Sequence, residues 1–168
     1  MSLYSDTRDE IYTQLLSVTG IGKVFKSVKY PTDWEAFFNL YRDSDTNTCI
    51  VTFITLVNPI TEVVNDEIGD WDASQFINHT HRTETWKISL VYAFKDDETT
   101  PSEYGFQELC EKIEEKFRFL QDLNGKAFLS YPLQTILRDI GQWTGSIMVH
   151  KCDFHLQVVH RIENDTAE

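Results

Sequence analysis

"HRTETWKISLVYAFKDDETTPSEYGF", residues 81–106, decides the fold. Arg82, Glu84, Trp86, Ile88, Leu90, Tyr92 and Phe94 fall on one side of an extended chain. Thr83, Thr85, Lys87, Ser89, Val91, Ala93 and Lys95 fall on the other, so the run has the two-residue period of a strand with one buried and one wetter face. The acidic "DDETTPSE" then turns the chain into a helix. Thr100 is placed to cap it, Pro101 sits at the first helical position where a missing N–H is harmless, and Glu103 completes a capping box. Phe106, Leu109, Cys110, Ile113, Phe117 and Leu120 follow at helical spacing, and Asn124-Gly125 ends the run. This is a packing unit, and it contains no recognisable catalytic centre.

Upstream, "SDTRDEIYTQLLSV" (Ser5–Val18) reads as a helix with Ser5 or Asp6 as its cap and Ile11, Leu15 and Val18 on one face. Gly20 ends it, and Gly22 allows a tight re-entry into the short strand "KVFKSVKY". In "YPTDWEAFFNLYRD", Thr32 and Glu35 make a capping box ahead of an aromatic stripe of Trp34, Phe37, Phe38 and Tyr41. "TCIVTFITLV" (Thr48–Val57) is apolar on both faces, which suits a central strand covered on two sides and closed by Pro59. Residues 60–80 have no period and are expected to form a projecting loop or arm. Downstream, Pro132 interrupts "AFLSYPLQTIL" and points to an edge or a bend, and "DIGQWTG" turns the chain. "SIMVHKCDFHLQVVHRI" is a second long alternating strand with Met148, Cys152, Phe154, Leu156 and Val158 inward. The expected fold is a single α+β domain over residues 1–168: a mostly antiparallel sheet with two or three helices packed on one face.

The 168 residues, 41% hydrophobic, are enough for a core without disulfide staples. Against 15 bases stand 27 acids, a net charge of −12, so phosphate backbones and anionic membranes are poor partners. No apolar run reaches the roughly 20 residues of a membrane helix and no signal pattern opens the chain, which points to a cytoplasmic protein. Cys49, Cys110 and Cys152 are far apart in apolar patterns and read as small core residues, not as a disulfide framework or zinc site.

The search for chemistry finds little. His79 and His81 share a strand face but lack a third ligand, and Asp66, Asp70 and Asp72 do not have calcium-loop spacing. His150 and Cys152 share a face from which Asp153 points away, and His155 lies opposite. Asp96-Asp97-Glu98 suits a helix N-terminus, and Gly20 with Gly22 makes no nucleotide fingerprint. No catalytic residue, cofactor or metal is expected. The alternative is a small-ligand-binding or hydrolytic domain whose pocket, between sheet and helices, collects Trp86, Tyr92 and His150.

The opening helix with "LLSVTGIGKVFKSVKYPTDWEAFFNLY", the unit "HRTETWKISLVYAFKDDETTPSEYGFQELCEKIEEKFR" and the closing "HKCDFHLQVVHRI" together resemble small phage and prophage tail proteins of the tail-terminator and tail-completion (minor tail, neck) type. The resemblance covers nearly the whole chain and is one of pattern. It implies a non-enzymatic structural protein that forms a ring, commonly of six copies, capping or joining the tail tube. Its partners would be copies of itself and other tail or neck proteins. It would bind no nucleic acid sequence-specifically and no membrane, and would pass from the bacterial cytoplasm into the virion tail. Within the arm, Ile68, Trp71 and Phe76 are the expected subunit contacts.

Overall fold

The computed structural model describes residues 3–29, 31–42, 49–65, 78–93, 101–142 and 148–163. In chain order the elements are α1 (Leu3–Leu16), β1 (Lys23–Phe25), α2 (Trp34–Tyr41), β2 (Ile50–Asn65), β3 (Asn78–Ala93), α3 (Ser102–Arg118), β4 (Leu129–Ser130), β5 (Gln134–Gln142) and β6 (Met148–Glu163). The sheet runs β1-β2-β3-β6-β4, and β5 joins it beside β6 on the same side as β4. β1 lies parallel to β2, and the other pairings are antiparallel. The protein is thus α+β with a mixed sheet.

The two long alternating runs sit side by side as β3 and β6, with Trp86 opposite Leu156, Ile88 opposite Phe154 and Leu90 opposite Cys152. Those side chains, with Ile50 and Ile54 of β2, form the main core beneath α1 and α3. α1 contributes Ile11 and Leu15, and α3 contributes Phe106, Leu109, Cys110, Ile113 and Phe117. Each set follows the 3.6-residue period of one helix face.

Of the three described helices, α1 and α3 share one face, within the two or three expected there, and α2 does not. α2 covers the opposite face, where Phe37 and Tyr41 pack on Cys49, Val51, Phe53, Val91 and Val149. The cause lies in β2, whose side chains are apolar on both sides, so Val51 and Phe53 need a cover that α1 and α3 cannot supply. The aromatic stripe is therefore core: Phe37 meets Tyr41 edge-on with centroids 5.0 Å apart, and Tyr41 meets Phe53 at 5.7 Å.

Other boundaries also differ from expectation. Asp33, not Thr32, caps α2 by accepting the Ala36 N–H at 2.8 Å, while Thr32 donates to the Asp33 carboxylate. α3 begins at Ser102, with Pro101 just outside it. Pro59 does not close β2, which continues to Asn65 along β3. Beyond Phe53 the strand has no β1 beside it, and proline is tolerated where one edge of a strand is open. A register shift between Leu56 and Asn58 adds a bulge. Residues 60–65 and 78–80 of the expected arm are therefore two paired strands. Likewise β5 runs to Gln142 where a turn was expected, and Met148, expected inward, is exposed at the start of β6. All three cysteines are buried and unbridged, as their apolar context predicts.

Candidate functional site

At the α3 end of the main core lies an open cleft of about 280 Å³, lined by Glu103, Phe106, Gln107, Arg138, Asp139, Ile140 and His150. α3 and β5 form its walls because both cover β6 at that end, and β5 pairs Ile140 with His150 across the ladder. His150 stacks on Phe106 with centroids 5.1 Å apart, and Tyr92 meets both rings edge-on. The His150 Nε2 lies 2.9 Å from the Ser102 hydroxyl. A serine–histidine pair is the start of nucleophilic machinery, but a nucleophile must reach its substrate. Ser102 is 7% and His150 2% exposed, and their contact joins α3 to β6.

Burial holds the His150 imidazole below its ordinary value of 6.5, with Glu103 opposing. The folded state therefore prefers neutral His150. Its contribution is complete above pH ~6.5 and is lost as pH falls below that value toward the depressed folded value, because the unfolded chain takes up the proton first. The urea midpoint should drop from pH 7 to pH 5, and His150→Gln should flatten that part of the curve. An unchanged slope in the variant would assign the acid response to other groups.

A second buried polar cluster ties α1 to the far end of the same face. Glu84, fully buried, accepts from the Trp86 indole at 2.9 Å. His160 Nε2 lies 3.5 Å from the Glu84 carboxylate and 3.1 Å from the Thr7 hydroxyl. Arg82 Nε pairs with Glu84 at 3.3 Å without hydrogen-bond alignment, while its guanidinium stacks 3.5 Å from the Tyr4 ring centroid. Arg8 caps the Trp86 ring at 5.4 Å. Of the three residues in the alternative pocket, Tyr92 and His150 come together, and Trp86 belongs to this other cluster.

The remaining candidate surface is the sheet edge. β5 pairs with β6 and has no described strand on its outer side. Ile136, Leu137 and Ile140 stand exposed along it, with Met148 at its end. On the opposite side of the sheet, β2 leaves its outer edge without a described partner beyond Phe53, and Val57 and Ile60 are exposed there. Sequence reasoning leaves this C-terminal region as an edge or a bend and misses its apolar residues. A register shift between Thr135 and Leu137 breaks the alternation that would have revealed them.

Ile68, Trp71 and Phe76 lie outside the described residues, as do Asp66, Asp70, Asp72, Asp96, Asp97 and Glu98. So does the side chain of His79, and among the described residues no group of three or more His, Cys, Asp or Glu side chains could hold a metal ion. Among them, too, no helix is long and apolar enough to cross a membrane. No protein-family model matches the chain, and no curated protein matches it in sequence.

Proposed function

We propose that this chain is a non-enzymatic structural subunit of a phage or prophage tail, of the tail-terminator or tail-completion type. It binds copies of itself into a ring, six being the number the sequence resemblance implies, and meets neighbouring tail or neck proteins. It assembles in the bacterial cytoplasm and ends in the virion tail. The observation that carries this reading is β5: a strand with no described partner on its outer side, on which three of nine residues are exposed aliphatics. Soluble monomers usually blunt such an edge with charge, proline or a cover, and β5 itself offers only Arg138 and Asp139. The open stretch of β2 lies on the opposite side of the sheet. Pairing between two different edges is head-to-tail, the type of contact that closes into rings. The long β2–β3 hairpin extends from the same strand and gives the subunit reach toward a neighbour. The charge of −12 suits a collar that lets DNA pass without gripping it.

The double variant Ile136→Lys, Ile140→Lys tests this. Both side chains are exposed, so monomer stability should change by about 0.5 kcal/mol or less while self-association is lost. Retained assembly in the variant would remove β5 from the interface.

A further inference from the structure

β5 and the outer stretch of β2 each reveal which way their main-chain groups turn. Residues 134–140 of β5 and 57–62 of β2 are all exposed, and neither run has a described strand on its outer side. In an antiparallel ladder successive residues turn their N–H and C=O alternately toward the paired strand and away from it. Pro59 fixes that alternation in β2. It stands opposite Glu84 and has no N–H to give, so its main chain faces away from β3. Ile60, opposite Thr83, therefore faces β3, and Thr61 turns its N–H and C=O to the outer side. β5 shows its phase through a side chain. The Ile140 N–H donates to the Asp139 carboxylate at 2.7 Å. Paired strands lie about 4.8 Å apart, which leaves no room for a carboxylate between β5 and β6. The Ile140 N–H thus faces the outer edge, where Asp139 occupies the bond that an added strand would make. Ile140 and Thr61 also share one face of the sheet. Thr61 lies across Arg82 from His160, Ile140 lies opposite His150, and His150 and His160 are on the same face of β6.

Resting on the ring reading above, we propose that the outer edge of β5 takes the β2 stretch around Thr61 of a second copy as an added strand, and that Asp139 gates this pairing. The occupant is a second copy because β2 offers what the β5 edge needs. It is an exposed run on the opposite side of the same sheet, with main-chain groups turned outward at a position on the same face as Ile140. Copies joined in this way continue one sheet from subunit to subunit. In the lone chain the Asp139 carboxylate satisfies the Ile140 amide, so every joining event must first displace it. A charged side chain on an edge strand holds back premature association, and here it does so by capping the amide itself. Once displaced, the carboxylate has Lys151 directly across the β5–β6 ladder to turn to.

Light scattering of full-length variants over a concentration series, with a melting curve for each, is the test. Thr61→Pro removes an N–H that the lone subunit does not use in its ladder, so the variant should melt close to wild type and fail to assemble. Ile60→Pro, one residue away, removes a ladder bond to Thr83 and should melt well below both. Asp139→Ala frees the Ile140 amide and should lower the concentration at which half the chains are assembled about 10-fold. Asp139→Asn removes the same negative charge but keeps an oxygen on the amide, and should lower that concentration by no more than about 2-fold. Equal gains for alanine and asparagine would make Asp139 a matter of charge alone and overturn the gate. Rings that persist unchanged in Thr61→Pro, with a melting curve like that of wild type, overturn the pairing and leave the ring reading standing. If wild type and Asp139→Ala both stay monomeric throughout, the ring reading itself fails and this inference falls with it.

Discussion

Replacing Trp86 with alanine should cost about 5 kcal/mol and leave the chain largely unfolded at 25 °C, because whole domains are stable by only about 5–15 kcal/mol. Among the described residues Trp86 is the largest fully buried side chain. Its ring fills the space between α1 and the sheet, beneath the Arg8 guanidinium, and its N–H donates to one oxygen of a carboxylate that water cannot reach. Alanine therefore opens a cavity and also strips Glu84 of a donor, two losses of different origin. Trp86→Phe separates them. It keeps most of the volume and should cost about 2 kcal/mol, mostly for the missing hydrogen bond. Urea unfolding followed by far-ultraviolet circular dichroism reads both. A midpoint for the alanine variant within about 1 kcal/mol of wild type would mean that this end of the core does not hold the fold.

Gly22→Ala should be nearly as damaging, at about 3 kcal/mol or more, while Gly20→Ala two residues away should cost about 1 kcal/mol. Both glycines have positive φ, +86° at Gly20 and +69° at Gly22, so each substitution strains the backbone. The difference is space. A Cβ on Gly20 would meet nothing within 4 Å, whereas one on Gly22 would lie 2.3 Å from the Ile50 carbonyl oxygen. That oxygen belongs to β2 and cannot move without dragging the central ladder, so the loop between α1 and β1 must distort instead. Equal melting temperatures for the two variants would show that the close approach is absent.

How much of this is visible beforehand depends on where the information resides. β3 and β6 are legible because strict alternation over many residues has a single reading, and α3 because its apolar residues recur at 3.6. The two-sided character of "IVTFITLV" also contains the placement of α2 on the far face, once one asks what must cover Val51 and Phe53. The path of β2 past Pro59 is not legible. It depends on the shortness of β1, which leaves the edge open, and a local pattern does not encode a neighbour's length. The ties from Ser102 to His150 and from Thr7 through His160 to Glu84 are equally hidden, because each joins residues far apart in the chain. Single inward polar residues in alternating strands are the only trace they leave. The exposed aliphatics of β5 escape notice for the opposite reason, since a bulge scrambles their period.

The claim that everything functional depends on is that the molecule works by binding its own kind. Multi-angle light scattering of the intact 19.6 kDa chain, over a concentration series into the hundreds of micromolar, tests it most directly. The account predicts a discrete species near six times the mass of one chain, reduced to a single chain by the two lysine substitutions on β5. A wild-type mass that stays at 19.6 kDa throughout the series would contradict it.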